Sequence, residues 1–215
     1  LFSLPLFSTG HNSISDSYLP RNVKALAGKR MTFISCGHCH TGSIDEDGNT
    51  FMWGGGWYGR LGVGDTTNKL QPVPVDALRG KSVAKLYLGA FHTYAILAKS
   101  CELWGWGRGD RVGLEDQSDQ LKPARVVMKE EHPPPIELID VSENMTLVVT
   151  GTDTFNDKKL VYSWGLGRYG KLGASLSLSP FLFFSLSLFL SLFFSLSFSL
   201  SRCLSLCLCL PSTNT

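Results

Sequence analysis

The chain has 215 residues, with 20 basic and 18 acidic side chains and a net charge of +2. A charge so close to zero excludes a chain-wide electrostatic attraction to nucleic acid. The charges are unevenly placed, because residues 174–215 contain no acidic side chain and a single basic one, Arg202. We therefore expect residues 1–173 and 174–215 to be different kinds of segment.

The six cysteines do not follow the spacing of a disulfide framework. Three of them, Cys36, Cys39 and Cys101, precede residue 174, and the other three lie near the end of the chain. A chain of this length buries a core without covalent cross-links, and its first residues lack the basic start of a secretory signal. We expect reduced thiols and an intracellular protein, in the cytoplasm or the nucleus.

Residues 1–19 show no clear hydrophobic period. Two interpretations are open, namely the end of an upstream repeat or an artefact of gene modelling. The first residue is Leu1 instead of methionine, so we expect a fragment or a partial translation.

Residues 20–71 form the first of three similar units. Short apolar runs alternate with turn residues in this unit. The pair Asp47-Gly48 lies between two such runs and predicts a β-hairpin, because glycine accepts the positive φ of tight hairpin turns. Many glycines follow Trp53, and this density indicates tight turns or close backbone contact.

Residues 72–122 repeat the first unit almost position by position. Gly89 and His92 follow Gly37 and His40 by 52 residues, and each of the two histidines precedes a threonine. A catalytic histidine is usually needed once, so the repetition favours a buried structural donor over catalysis. We predict no catalytic residue and no small-molecule substrate.

Residues 123–173 form a third, less regular unit. Ser142 and Met145 stand where the earlier units have glycine and histidine, although Thr146 preserves the threonine. The prolines at 133–135 interrupt the pattern and predict a surface loop.

A Trp-Gly pair, followed by an apolar-Gly pair, recurs in all three units. We align Trp53, Trp104 and Trp164, which are separated by 51 and 60 residues. Short strands with periodic glycine and aromatic positions are typical of a β-propeller. The sequence therefore predicts an all-β fold, a partial propeller of about three blades over residues 20–173. The residues expected to be structural in this repeat are Gly37, His40, Trp53, Gly54, Gly59, Gly62, Gly89, His92, Trp104, Gly105, Gly113, Trp164, Gly165, Gly170 and Gly173.

The order of Pro, Val, Leu and Gly, then CGHCHT or LGAFHT, then DGNTFMWGGGWYGRLGVGD resembles the repeat of the regulator of chromosome condensation family. The resemblance covers residues 20–173 in three copies. It implies a seven-bladed propeller, of which three copies cannot close the ring, so we expect exposed blade edges and association or instability of the isolated chain. It also implies protein partners, among them a small GTPase or chromatin.

Light-sensing members of the family carry a Gly-Trp-Arg-His-Thr motif, whereas the aligned stretches here are GHCHT and GAFHT. The resemblance therefore implies no ultraviolet-B sensing. Of the five tryptophans, Trp53, Trp57, Trp104, Trp106 and Trp164, the aligned three, Trp53, Trp104 and Trp164, are expected to pack between blades.

Cys36, Cys39 and His40 match the Cys-x-x-Cys-His spacing of covalent haem attachment, and thiols with imidazoles also suit zinc. The second unit has leucine and phenylalanine at the positions of the two cysteines. The repeat therefore explains His40 without a ligand, and we predict no cofactor, with these residues as weak metal candidates.

Four arginines in the Gly-rich loops, Arg60, Arg108, Arg111 and Arg168, are candidates for a basic rim that binds an acidic partner. Acidic residues are interleaved with them, so an ordinary mixed surface is the favoured alternative. The favoured function is a non-enzymatic interaction scaffold, and the alternatives are a nucleotide-exchange factor for a small GTPase or a truncated gene-model fragment.

Residues 174–210 are dominated by serine, leucine and phenylalanine. The stretch is long and apolar enough for a membrane helix, but serine at alternate positions spreads hydroxyl groups around all faces of a helix. Alternating serine and leucine is also what a repeated TC dinucleotide encodes. We favour a translated microsatellite or retained intron, and the alternatives are a membrane-associated segment and a disordered segment.

Overall fold

The computed structural model describes residues 9–128, 135–152, 159–170 and 172–173. All of them lie in the first of two units of the chain, Leu1–Ala174. The predicted insertion at 133–135, apart from its last proline, and the predicted tail at 174–215 lie outside the described residues.

Three antiparallel sheets follow one another along the chain, and we call them blades 1, 2 and 3. Blade 1 has the strand order β1-β2-β3-β4. Its strands are β1 (Met31–Cys36), β2 (His40–Asp45), β3 (Thr50–Gly54) and β4 (Lys69–Pro74). The predicted hairpin joins β2 to β3, with Gly48 at φ +78° and the Asp45 carboxylate accepting two backbone N–H groups of the turn.

Blade 2 repeats this arrangement with the strand order β5-β6-β7-β8. Its strands are β5 (Val83–Leu88), β6 (His92–Leu97), β7 (Leu103–Gly107) and β8 (Gln120–Arg125). Between β7 and β8 lies one helical turn, α1 (Gly109–Val112). In blade 1 a 3-10 turn (Trp57–Gly59) takes this place between β3 and β4.

Blade 3 has three described strands in the order β11-β10-β9. These are β9 (Ile136–Val141), β10 (Met145–Thr152) and β11 (Lys159–Gly165), followed by a 3-10 turn (Arg168–Gly170). The prediction of an all-β, partial propeller of about three blades is therefore confirmed.

The blades do not begin where the sequence repeats begin. The predicted boundaries at residues 72 and 123 fall inside β4 and β8, the outer strands of blades 1 and 2. Both positions are prolines, which lack an N–H donor and are tolerated at the edge of a sheet. Each sequence repeat that begins at one of these prolines therefore starts within one blade and continues into the next.

The hydrophobic core lies between successive blades. Strand β5 of blade 2 packs against β1 and β2 of blade 1. One cluster joins Ile44 and Met52 of blade 1 to Leu86 and Trp106 of blade 2, and all four side chains are almost completely buried. A second cluster between blades 2 and 3 contains Tyr94, Val112 and Val148. Burial between sheets is the main source of stability, because each sheet alone exposes its apolar faces.

Among the described residues, the structure contains no helix with the length and hydrophobicity that a membrane crossing requires.

Candidate functional site

The joint between blades 1 and 2 is formed by a glycine and a tryptophan. Gly62 adopts φ +71°, and a Cβ atom placed on it would lie 2.7 Å from Nε1 of Trp106. The Trp106 indole is completely buried, and its N–H donates to the carbonyl oxygen of Arg60 over 2.9 Å. Only glycine fits this position, since it accepts the left-handed backbone and leaves room for the indole.

A histidine and a threonine reinforce the same joint. The Thr93 hydroxyl donates to the Arg60 carbonyl over 2.9 Å, and Nε2 of His40 lies 2.8 Å from that hydroxyl oxygen. Because the single hydroxyl proton is used, we assign the imidazole proton to Nε2 of His40. Burial, and secondarily Arg60, lower the pKa of His40 well below 6.5. His40 is thus a neutral donor that ties blade 1 to blade 2.

The joint between blades 2 and 3 has an inserted hydroxyl group. Gly113 has φ +81°, and its Cβ would lie 2.6 Å from Nε1 of Trp164. The Trp164 N–H donates to the Tyr94 hydroxyl over 2.8 Å, and that hydroxyl donates to the Arg111 carbonyl over 2.8 Å. The position equivalent to Tyr94 in blade 1 is Gly42, where no side chain intervenes.

The second histidine occupies the equivalent place in this joint. Nε2 of His92 lies 3.2 Å from the Thr146 hydroxyl, which donates to the Tyr94 hydroxyl over 3.2 Å. Burial, and secondarily Arg111, lower the pKa of His92 to about 4. Two joints therefore use the same His–Thr pair, with different acceptors for the threonine.

The structure corrects the tryptophan alignment. Trp53, Trp106 and Trp164 face the threonine of the neighbouring strand in their respective blades. Trp104 instead lies two residues earlier on β7, partly exposed, with its N–H donating to Glu102 over 3.2 Å.

The glycine after each of the three joint tryptophans has a similar backbone conformation. Gly54, Gly107 and Gly165 have φ angles of +106°, +108° and +111°. Gly107, and not Gly105, is therefore the glycine equivalent to Gly54. The loop between β7 and β8 in blade 2 is two residues shorter than the loop between β3 and β4 in blade 1. A constant spacing between the tryptophan and the following apolar-Gly pair therefore selected Trp104 instead of Trp106.

The other glycines of the predicted set either leave room for a neighbouring histidine ring or adopt a positive φ. A Cβ on Gly37 would lie 2.6 Å from Cε1 of His40, and one on Gly89 would lie 2.7 Å from Cε1 of His92. Gly59 and Gly170 end the equivalent 3-10 turns of blades 1 and 3, with φ +74° and +72°. The remaining member, Gly173, has φ +63° at the position equivalent to Gly62 and Gly113.

A glycine–tryptophan contact also involves the N-terminal segment. Gly10 has φ +76°, and its Cβ would lie 2.9 Å from Nε1 of Trp53. Two residues later, the Asn12 N–H donates to the Leu70 carbonyl over 3.0 Å. In the first joint, the Gly64 N–H, two residues after Gly62, likewise donates to the Leu121 carbonyl over 2.9 Å.

The metal candidates do not converge. Cys36 is exposed at the end of β1, and Cys39 is buried in the following turn, where its thiol lies 3.0 Å from Nδ1 of His38. His40 points its Nε2 at Thr93 in the joint. Within the described ranges, no group of three or more potential ligands is arranged to hold a metal ion.

Two of the four candidate rim arginines are buried, which corrects the expectation of a rim formed by all four. Arg60 is 1% exposed, and its guanidinium donates to the carbonyl oxygens of Gly55 and Ala90, each over 2.7 Å. Arg111 is 3% exposed. Arg108 and Arg168 reach solvent. A guanidinium that bonds backbone carbonyls on two sides of a joint is a structural part of it.

Aromatic rings and arginines gather on the loops beside the first joint. We call the surface formed by Trp57, Tyr58, Phe91 and Arg108 the loop face; the buried guanidinium of Arg111 lies beside the Phe91 ring. The rings of Tyr58 and Phe91 meet edge to face with centroids 5.4 Å apart, and the Arg108 guanidinium lies 5.0 Å from the Tyr58 centroid. Neither ring was predicted from the sequence to be part of a site. The signal available was the aromatic pair Trp57-Tyr58 inside a glycine-rich loop.

The backbone of Tyr58 is strained. Its φ of +60° places a bulky residue in the left-handed region, which costs on the order of 1 kcal/mol. The edge contact with Phe91 and the cation–π contact with Arg108 compensate part of this cost. Tyr58 and its neighbour Trp57 are each exposed by more than a third.

Successive antiparallel sheets, linked to one another by repeated glycine–tryptophan contacts, define a propeller-type repeat protein. Residues 47–96 match the family model described as the regulator of chromosome condensation (RCC1) repeat. The chain is 34% identical to the ultraviolet-B receptor UVR8 of Arabidopsis thaliana over 169 residues, which is 76% of the chain and 36% of the receptor. It is 31% identical over 170 residues to the human E3 ubiquitin-protein ligase HERC2, covering 76% of the chain and 3% of the ligase. These matches support an RCC1-like repeat family, and the chain spans about a third or less of these relatives.

Solved structures show the same fold. Prp20p of Saccharomyces cerevisiae, whose structure was described with its binding to Gsp1p and histones, matches with a TM-score of 0.65 at 19% identity. The match covers 80% of this chain and 41% of Prp20p. Human WBSCR16 matches with a TM-score of 0.57 at 20% identity, over 70% of this chain and 36% of that protein.

Proposed function

We propose that the chain is a non-enzymatic protein-interaction module and that its loop face is the docking site. The observation that carries this proposal is the strained Tyr58, held by Phe91 and Arg108 at an exposed surface. Backbone strain at a surface aromatic residue costs stability without any gain in core packing, and such strain gathers at ligand sites. Exposed aromatic rings and arginines are also the side chains that contribute most to protein–protein binding.

The composition of the loop face supports protein docking over small-molecule binding. Trp57, Tyr58 and Phe91 present rings that are partly exposed and fixed by their neighbours, so little side-chain entropy is lost on binding. The buried arginine Arg60 stacks beneath this surface, with its guanidinium 5.4 Å from the Trp57 ring centroid. These contacts keep the rings in place before a partner arrives.

A site-specific photo-crosslinking experiment tests the proposal. Benzoylphenylalanine replaces Tyr58 in the full chain, and a matched control carries it at Val127, which is exposed just after β8 and outside the loop face. We expect the photo-crosslinker at position 58 to capture a protein that also binds the purified chain directly. The Phe91→Ala variant of the chain should no longer bind this protein. The proposal is wrong if every captured protein is shared with the Val127 control or binds Phe91→Ala as well as the unchanged chain.

A second candidate function is regulation of nucleotide exchange on a small GTPase. The described binding of Prp20p to Gsp1p supports it, and the histones in the same description support a chromatin partner. Release of labelled GDP from a panel of small GTPases, with and without the chain, tests this function. Acceleration of release that is lost in Arg108→Gln would favour exchange over simple docking.

We also propose that residues 9–19 are the end of an upstream repeat, the first of the two interpretations of this segment. The contact of Gly10 with Trp53 and the bond from Asn12 to Leu70 support this assignment. Gly10→Ala should destabilise the chain by about 2 kcal/mol more than Gly28→Ala, because Gly28 has a similar φ of +81° but open space around its Cβ. Equal effects in urea unfolding would refute the assignment.

A further inference from the structure

We infer that the occupant of the loop face is an acidic protein segment, one of whose carboxylates binds the Arg108 guanidinium in place of Asp110. The inference rests on the proposed docking function and names the chemistry of the partner. Two arginines, Arg60 and Arg111, lie at equivalent positions of successive blades. Each directly precedes the apolar-Gly pair of its joint.

The two equivalent arginines differ in how their hydrogen-bonding groups are satisfied. The guanidinium of Arg60 donates to two backbone carbonyls and is almost completely buried. Arg111 is also buried, yet its Nη1 has no hydrogen-bond partner among the described residues. A buried guanidinium donor left without an acceptor costs on the order of 1–3 kcal/mol. In the second joint, the Arg111 guanidinium therefore still lacks an acceptor, and a carboxylate would supply one.

One carboxylate oxygen serves two arginines. Oδ1 of Asp110 lies 3.0 Å from Nε of Arg108 and 3.4 Å from Nε of Arg111. A guanidinium and a carboxylate bind best through two parallel hydrogen bonds, and an oxygen shared between two guanidiniums gives neither of them that geometry. Asp110 thus holds both arginines weakly, and a second carboxylate would allow each arginine its own partner.

Arg108 is the member of the pair that a partner can reach. Its side chain is 34% exposed, whereas that of Arg111 is 3% exposed. The guanidinium of Arg108 lies over the rings of Tyr58 and Phe91, at 5.0 and 5.9 Å from their centroids. The rings hold the guanidinium against the surface, which reduces the entropy lost when it binds. On binding, Arg108 would bond the partner's carboxylate and Asp110 would remain with Arg111.

The charge around the loop face is compatible with an acidic segment. The electrostatic neighbours of Arg111 are Asp110, Arg108 and Glu143, and its guanidinium lies 5.7 Å from the Phe91 centroid. The carboxylates near these arginines are those of Asp110, Glu143 and Asp119, whose Oδ1 accepts the Gly109 N–H next to Arg108. Arg108 is the exposed guanidinium among them and lies over two rings, which favours a carboxylate-bearing partner over a basic one.

The test measures binding of a defined acidic probe to the full chain. The probe is a fluorescein-labelled eight-residue peptide with four glutamates and two phenylalanines, and its counterpart carries glutamine at the four positions. Fluorescence anisotropy should show at least about tenfold tighter binding of the glutamate peptide at low salt, decreasing as salt screens the charges. Arg108→Gln should weaken this binding about fivefold. Asp110→Asn should strengthen it, because the internal competitor is removed.

The control is Arg79→Gln, which removes an exposed arginine that pairs with Asp76 outside the loop face. We expect this variant to bind the glutamate peptide as the unchanged chain does. Equal binding of the two peptides, or equal weakening by Arg79→Gln and Arg108→Gln, would overturn the inference. If the acidic probe fails while crosslinking from Tyr58 still captures a partner through Phe91, the docking function stands and the acidic partner class is wrong.

Discussion

The Trp164 indole N–H donates to the hydroxyl oxygen of Tyr94, a residue 70 positions earlier in the neighbouring blade, over 2.8 Å. In the preceding joint the equivalent indole, that of Trp106, donates directly to a backbone carbonyl. The Tyr94 hydroxyl is thus one additional group between the indole N–H and the backbone carbonyl of this joint. Burial raises the pKa of Tyr94 well above 10, so the hydroxyl stays protonated and continues to donate to Arg111.

Removal of this hydroxyl should weaken the joint between blades 2 and 3. In Tyr94→Phe, the Trp164 N–H, the Thr146 hydroxyl and the Arg111 carbonyl lose their shared partner inside the protein. We expect the free energy of unfolding to fall by about 2–3 kcal/mol, since buried polar groups are left unsatisfied. Urea unfolding monitored by tryptophan fluorescence measures the change. Tyr87→Phe, at a partly buried tyrosine, is the matched control, and a loss of the same size there would contradict the assigned role.

The glycine of the first joint should not tolerate a methyl group. Gly62 and Gly80 have similar φ angles, +71° and +75°, but only Gly62 has an indole 2.7 Å from the position of a Cβ. Alanine at either site therefore carries the cost of a left-handed backbone, about 1 kcal/mol, and alanine at Gly62 adds a clash worth about 1–3 kcal/mol. The difference between Gly62→Ala and Gly80→Ala in thermal unfolding isolates the contact with Trp106. Equal melting temperatures for the two variants would show that the contact does not matter.

The stability of the chain should depend on pH through the buried histidines. The pKa of His92 is about 4 in the folded chain and returns to 6.5 on unfolding. Its contribution is therefore complete above pH 6.5 and is lost progressively as the pH falls toward 4, because the unfolded chain takes up a proton that the folded chain excludes. The loss for one such histidine is about 3 kcal/mol.

The pH dependence of unfolding in His92→Gln checks this prediction. We expect a shallower fall of the free energy of unfolding over the same interval, since the variant lacks one of the titrating groups. Asp65 does not interfere, because hydrogen bonds from Lys69 and Thr67 lower its pKa from 3.8 to about 2, so its contribution is lost at lower pH. An unchanged slope in the variant would exclude His92 as a source.

Much of the fold could be predicted from the sequence because the chain repeats itself. The recurrence of His-Thr at 40 and 92, with glycine three residues earlier, indicated equivalent structural positions, and the structure places both histidines at joints. Each blade needs the next one to bury its apolar face, so the repeated positions are those that contact the neighbour.

The spacing of residues along the sequence could not predict the details of the joints, because these details depend on contacts in three dimensions. The shorter loop of blade 2 moved the joint tryptophan from the expected Trp104 to Trp106. The position of Tyr94 is occupied by a glycine in blade 1, so the pattern gave no reason to single it out.

The candidate site was less predictable than the fold. Arg60 and Arg108 lie in similar glycine-rich loops, yet one is buried in hydrogen bonds to carbonyls and the other reaches solvent. This difference follows from which blade each loop faces, and local sequence carries no signal for it. The contact between Tyr58 and Phe91 joins two blades and depends on the positive φ of Tyr58.

Paired side chains from successive blades hold the repeat together, and a double-mutant cycle between His40 and Thr93 measures one such pair. These residues are 53 positions apart, and the only described link between their side chains is the bond of 2.8 Å across the joint. The cycle compares His40→Ala, Thr93→Val and the double variant in urea unfolding. We predict a coupling energy of about 1–2 kcal/mol, as for other buried hydrogen bonds. Strictly additive effects of the two substitutions would contradict the claim.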